Sequence, residues 1–292
     1  MTDRRVKQRR RRPNVFKAAD LIEAMGKRRS RDRRGSSPMA TSKASHLILC
    51  GDGIQGLARL PAQSVSLVCN DPPWAATKAK WDRELDWGAW WAAIDHALTP
   101  DGVLVVYGSV RLALKIIPLA RRPFLYDIVW KKNRGTNHLN AKNQPMRKHE
   151  LLLVFGSLRS YTPQFTYGHA PMNPATRISS SELYGRETVT STVAGVTHRY
   201  QGSVLEMDTV ANDTKARIHS SQKPVPLNQW IIRAFSKPGD LVADPTCGSG
   251  SLIQAARLEG RQAIGWESDV AKHAAAQAWL HGRDTPLFAE RT

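Results

Sequence analysis

Apolar residues along this chain fall into short blocks, separated by stretches in which apolar positions recur every three or four residues. Blocks at 46–50, 65–70, 102–108, 126–132 and 149–155 predict strands. Amphipathic stretches near 54–60, 87–98 and 111–121 predict helices, the second closed by LTPDG. Between 157 and 218 the rhythm is lost to scattered Pro, Gly, Ser and Thr, which marks a functional insertion or a disordered stretch. It returns with a helix at 225–235, a strand at 240–244, a helix at 250–259, a strand at 262–266 and a helix at 269–281. Strands alternating with helices predict an α/β fold, a mainly parallel sheet with helices on both faces. A length of 292 residues suits one large domain of that kind with an insertion.

No apolar block approaches the roughly 20 residues of a membrane span, so a soluble, cytoplasmic protein with no membrane partner is expected. Cys50, Cys69 and Cys247 show no C-x-x-C spacing, which fits a reducing compartment; Cys50 and Cys69 end apolar runs and read as packing, and no metal site is expected. Charge changes the picture more. The formal net charge is +18; the first 45 residues hold 15 Lys and Arg against 4 Asp and Glu, and the other 247 keep a balance of +7. A basic body favours a polyanionic partner such as nucleic acid. Residues 1–45 are expected to form a disordered arm. The arm reads as a phosphate grip, as a solvated tail ahead of a start at Met39, or as an Arg-rich transit peptide.

Candidate chemistry begins where VSLVC, residues 65–69, runs into NDPPW, residues 70–74. Pro72 and Pro73 cannot donate to a sheet ladder, so the strand must stop there and present Asp71 at its carboxyl end. A second constellation is GDLVADPTCGSGSLIQAARLEGRQAIGWESD, residues 239–269. Here a strand runs to Asp244, a turn carries Gly248 and Gly250, a helix follows, and a second strand ends at Glu267, 19 residues after Gly248. This βαβ layout suits an adenosine moiety: glycines admit the ligand to the backbone, and the terminal acid accepts from ribose hydroxyls. The glycine spacing does not match G-x-G-x-x-G, which disfavours a dinucleotide, and an ordinary helix entry is the alternative. Both motifs end strands, so both should face one crevice at the carboxyl edge of the sheet.

NDPPW (70–74), HSSQKPVPL (219–227), DPTCGSGS (244–251) and GWE (265–267) together resemble the amino-group DNA methyltransferases that use S-adenosylmethionine, over about residues 46–281. The order, catalytic motif before cofactor motif, is that of the β class, and LNAKNQPMRKHELLLVF (139–155) resembles its phage or prophage members. The resemblance implies a circularly permuted Rossmann-like methyltransferase fold with a mostly parallel seven-stranded sheet. It implies a catalytic domain over 46–156 and 219–283 and a target-recognition hairpin and insertion over 133–218. Permutation should make HLILCGDG the third strand of the sheet and set Asp52 beside the adenine of the cofactor, with an ordinary turn aspartate as the alternative.

In such an enzyme Asp71 and the Pro72 carbonyl would each accept an N–H of the target amine, Pro73 would stiffen the pair, and Trp74 would stack on an extruded base. Ser221 and Lys223 are implied for the cofactor's carboxylate, with His219 and Gln222 shaping the turn. Trp81, Trp87, Trp90 and Trp91 crowd one region and read as packing. Lys131, Lys132, Arg134, Lys142 and Arg147, interleaved with Asn140 and other amides, are candidate contacts to double-stranded DNA. Asp at position 71 favours adenine N6 over cytosine N4, where relatives more often carry Ser; a silent DNA-binding relative is the rival of another class. A homodimer and association with the nucleoid follow from the resemblance alone.

Overall fold

A computed structural model describes residues 45–282 apart from 76, 80, 182–185, 212–216 and 220. The basic arm and Met39 lie outside the described residues. The elements are β1 (His46–Cys50), α1 (Gly53–Ala58), β2 (Val65–Asn70), α2 (Trp87–Ala97), β3 (Leu98–Gly108), α3 (Val110–Ile116), β4 (Phe124–Thr136) and β5 (Arg147–Phe155). The insertion adds β6 (Phe165–Thr166), β7 (Ala175–Ser181), β8 (Arg186–Thr192), β9 (Arg199–Tyr200) and β10 (Val204–Glu206). The chain continues through α4 (Val225–Phe235), β11 (Leu241–Asp244), α5 (Ser251–Leu258), β12 (Gln262–Glu267) and α6 (Val270–His281).

The central sheet has the order β1-β12-β11-β2-β3-β5-β4-β10. Its pairs are parallel from β1 to β3 and between β4 and β10, whereas β5 runs against both β3 and β4. The unit β11-α5-β12 comes last in the chain, yet β1 pairs against β12, as permutation requires. The sheet holds eight strands rather than the expected seven. The extra one is β10, a short piece of the insertion that returns to lie beside β4. Elsewhere the insertion forms two ribbons, β6 with β9 and β7 with β8.

Strands buried on both faces explain the near-continuous apolar runs seen in sequence. Val103, Val105 and Tyr107 of β3 join a core with α4, α5 and α6, while Leu104 and Val106 join a second core with α1, α2 and α3. Two predicted boundaries shift for local reasons. LTPDG does not separate α2 from β3: Leu98 already pairs with Val65, and a bulge absorbs the next residues before Val103 pairs with Leu67. The predicted 111–121 helix stops at Ile116 and tightens into a single 3₁₀ turn, Ile117–Leu119, at Pro118, which has no N–H to give an α-helical ladder.

Candidate active site

The carboxyl ends of β1, β2, β11 and β12 and the segment before α4 enclose a cavity of about 730 Å³. Every sequence-predicted catalytic and cofactor residue lines it except Gly250. Gly250 has φ +75 and begins α5, and a Cβ there would meet Ile48 at 2.6 Å, so it serves the helix entry and the core. Gly248, at φ +50, has open space where its Cβ would stand and keeps the turn thin on the cavity side.

Asp71 follows β2, and its Oδ2 lies 2.7 Å from the Lys223 ammonium. Lys223 is not turned outward to await a ligand. It also reaches Glu150 Oε2 at 3.3 Å and stands 5.0 Å from the Tyr107 ring, while Glu150 Oε1 receives Lys132 at 2.9 Å. Burial would raise the Glu150 carboxyl, but Lys223 and Lys132 hold it below the usual carboxylate range. Burial also opposes the charge on Lys223, and its two carboxylates overcome that and hold the ammonium above an ordinary lysine. Asp71 is pushed upward, because burial outweighs the one ammonium it shares with Glu150.

Hydrogen bonds tie the two strand-end motifs together. Trp90 Nε1 donates to Asn70 Oδ1 at 3.0 Å, Asn70 Nδ2 donates to Thr246 Oγ1 at 2.5 Å, and Thr246 Oγ1 donates to the Asp71 carbonyl at 2.9 Å. The chain after the prolines is wrapped round the buried Asp82 carboxylate, which accepts from the N–H groups of Trp74, Ala75 and Thr77 at 2.8, 2.8 and 2.6 Å. Trp74 is half-buried and packs on the core of α1, α2 and α3, with part of its surface on the cavity. Trp87, Trp90 and Trp91 are core residues as expected, but Trp81 is 45% exposed and lines the cavity. Its ring meets His219 edge-on at 6.4 Å, with the Lys272 ammonium 5.6 Å away.

On the other side Asp52 caps α1, its Oδ1 accepting from Ile54 and Gln55 N–H at 2.9 and 3.0 Å. Gly53 is forced by contact, since a Cβ there would lie 1.8 Å from the Pro245 carbonyl oxygen. Asp244 is buried and its carboxyl is pushed up to about 7, first by burial and then by Asp71 and Glu267. Glu267 Oε1 accepts from Asp269 N–H at 2.8 Å. His219 Nδ1 lies 2.9 Å from the Ser221 hydroxyl and accepts from Ser221 N–H, and Gln222 Oε1 accepts from Ile218 N–H, so both shape the turn. Burial, then Lys272, Lys223 and Arg217, lowers the His219 pKa. A thin glycine turn, carboxylates ending two strands and an apolar ring on the rim fit a ligand with adenosine at one end and charged groups at the other.

Residues 65–278 match the family model of the N6/N4 DNA methylases. The chain belongs to that family. Among the relatives of this chain is the type II methyltransferase M.HinfI of Haemophilus influenzae, 24% identical over 254 residues, which are 76% of this chain and 64% of that protein. The chain thus spans less than two thirds of that relative's length. The structure of M1.HpyAVI in complex with SAM superposes with a TM-score of 0.55 at 20% identity, covering 80% of this chain and 98% of the other. The cytosine-N4-specific PvuII DNA methyltransferase gives 0.57 at 18% identity, covering 82% and 87%. At such identities these likenesses establish the fold alone, a mostly parallel α/β sheet with its helices.

The recognition candidates lie on the β4–β5 hairpin, whose strands run beyond the sheet to a tip where Asn137 takes a left-handed φ of 70 and a 3₁₀ turn follows. Arg134, Asn140, Lys142 and Arg147 are exposed there, and Lys131 is exposed in an ion pair with Glu206 at 2.8 Å. Lys132 is a correction: its side chain is 4% exposed and its ammonium is held by Glu150, so it cannot grip a phosphate. Strand alternation points it inward while its neighbours point out. Sequence reading also passed over Glu150, Tyr107, Asn70, Thr246 and Asp82. Asn70 and Thr246 stand inside the motifs NDPPW and DPTCGSGS, and Glu150 carried a signal as an acid opening the apolar run LLLVF.

Proposed function

We propose that the protein is an S-adenosylmethionine-dependent DNA methyltransferase of the β class, acting on the exocyclic N6 amine of an adenine turned out of double-stranded DNA. The observation that carries this reading is the Asp71 carboxylate, pinned by Lys223 and facing the same cavity as the glycine turn and Glu267. When bound, S-adenosylmethionine supplies a methyl group on a positively charged sulfur. The chain supplies the rest. An exocyclic amine is a poor nucleophile because its lone pair is delocalised into the ring. Asp71 accepts one N–H and the Pro72 carbonyl the other, which draws the lone pair out of conjugation and stabilises the charge that grows on nitrogen. The proton that leaves the amine passes to the Asp71 carboxylate.

Trp74 offers the extruded base an apolar face, a contact worth about 1 to 3 kcal/mol on aromatic platforms. Glu267 receives the ribose hydroxyls and Asp52 the adenine amine of the cofactor. With Lys223 engaged by two carboxylates, Ser221 is the remaining candidate for the cofactor's own carboxylate. Exposed Arg134, Lys142 and Arg147 hold phosphates, and the amides of the hairpin tip, Asn140 among them, read base edges. Cytosine N4 is the second reading, favoured by the PvuII likeness. The deciding test is mass spectrometry of nucleosides from unmethylated DNA incubated with the protein and S-adenosylmethionine, beside an Asp71→Ala control. N6-methyladenine that vanishes in the control supports the reading. N4-methylcytosine would transfer the mechanism to the other base, and no product on varied DNA would overturn both.

A further inference from the structure

One continuous run of alternating charge joins the root of the DNA-reading hairpin to the proposed amine acceptor. Lys132 stands on β4 and Glu150 on β5, where Glu150 is the register partner of Trp130 and the hairpin leaves the sheet. From Lys132 to Glu150, Lys223 and Asp71 the successive contacts are 2.9, 3.3 and 2.7 Å, and the first three side chains are between 4% and 13% exposed. Removing so many charges from water is unfavourable, and apolar residues of similar size could cover the same stretch of sheet. What the charges add is a fixed position. Two carboxylates take the Lys223 ammonium from two sides, and the Tyr107 ring, locked by its hydroxyl donating to Asn228 at 2.7 Å, stands against a third.

We propose that Glu150 and Lys132 are positioning residues for methyl transfer, fixing the Lys223 ammonium on the Oδ2 side of Asp71 so that the other oxygen is kept for the incoming amine. The proposal rests on the methyltransferase reading above. Glu150 acts as the counterweight: without its charge the ammonium is free to shift across both oxygens of Asp71, and the amine must then displace a cation to reach its acceptor. Lys132 orients Glu150 by taking its other oxygen, and it completes a set of two cations and two anions. Neither residue touches the base.

The test uses the full chain carrying Lys132→Met and Glu150→Gln together, which removes one charge of each sign at nearly constant volume and leaves no buried ion unpaired. The expected result is a melting temperature within a few degrees of wild type, KM for DNA changed less than about threefold, and kcat reduced at least tenfold. The acid limb of kcat should also move to lower pH. Glu150 is a negative charge facing Asp71, and its loss eases ionisation, while Lys223, Tyr107, Cys69 and Asp244, which also face Asp71, are unchanged. Glu150→Asp, which keeps the charge, should bring the acid limb back. An unchanged kcat and acid limb in the double variant would overturn the proposal, as would a kcat loss that only follows the fraction unfolded. Should the double variant fail to fold, Lys132→Arg decides: the charge stays, the donor moves, and kcat should fall with the melting temperature held, whereas unchanged kcat overturns. A wild-type protein that methylates no DNA sinks the underlying reading instead, so the two failures are told apart.

Discussion

Asp71 and Asp244 are acids displaced in the same direction by the same cause, burial, and they should report on different steps. Asp71→Asn keeps the size and removes the charge; we expect kcat to fall by about a hundredfold or more, the scale of a lost preorganised electrostatic contact, with S-adenosylhomocysteine binding little changed by calorimetry. Asp244, pushed up to about 7, changes charge across neutral pH. Affinity for the cationic S-adenosylmethionine should therefore strengthen as pH rises through about 7, more steeply than for S-adenosylhomocysteine, whose sulfur is neutral, and Asp244→Asn should flatten the difference. The sign for folding is opposite. A carboxyl whose folded value lies above its unfolded value, roughly 3.9, binds more protons in the native state across that window. Its contribution to stability then declines as pH rises from about 4 to about 7 and is level above that. Thermal melts of wild type and Asp244→Asn over that range would show it as a difference in slope.

Elements matter here through their junctions. Gly53 of α1 and Pro245 after β11 meet backbone to backbone, and a methyl group at 53 would overlap the Pro245 carbonyl with no flexible side chain to give way. Gly53→Ala should abolish the thermal shift that S-adenosylhomocysteine confers and lower the melting temperature of the unliganded protein. Asp82 does for the 74–77 turn what no proline could, collecting three N–H groups on one carboxylate. Asp82→Ala should destabilise by about 1 to 3 kcal/mol and raise KM for DNA as Trp74 loses its setting, read by denaturant melts and steady-state kinetics. In the hairpin, Arg134→Ala, Lys142→Ala and Arg147→Ala should each reduce the slope of log affinity against log salt by about 0.9 if each meets a phosphate. Lys132→Ala should leave the slope alone and destabilise by about 1 to 3 kcal/mol, because it takes from the buried Glu150 carboxylate one of its two cations. Periodicity and strand-ending motifs made the scaffold legible: β2 ending at Asn70, just ahead of the prolines, and the β11-α5-β12 unit stand where the sequence puts them. The roles of the supporting residues were not legible: Thr246 and Glu150 act through contacts between segments distant in sequence, and Asp82 through a local wrap of N–H groups that no periodicity announces. Lys132 was misread for a related reason: a basic stretch looks uniform until strand alternation sorts it into inward and outward side chains.

For the whole molecule, charge is the quantity that scales with size. The first 45 residues hold 15 of its 43 basic side chains, so deleting residues 1–38 should lower the salt dependence of DNA binding by several units of slope if the arm lies on phosphates. An unchanged slope in fluorescence titrations would leave the body's own balance of +7 to account for binding. Sedimentation at micromolar concentration would test the dimer that the class resemblance implies. The insertion was the part least readable from sequence, since its ribbons have short strands and few apolar positions to set a register. Yet it is not loosely appended. It leaves the sheet after β5 and is stitched back by β10 beside β4, with Trp130 Nε1 donating to the Met207 carbonyl at 2.9 Å and Asn133 Oδ1 accepting from Thr209. A segment moored at both ends to the framework that carries the chemistry can change its middle without disturbing its anchorage. If the insertion takes part in target recognition, such an arrangement would let new target sequences be acquired by exchanging what lies between Gly156 and Ser203, with the proposed methyl-transfer apparatus inherited intact.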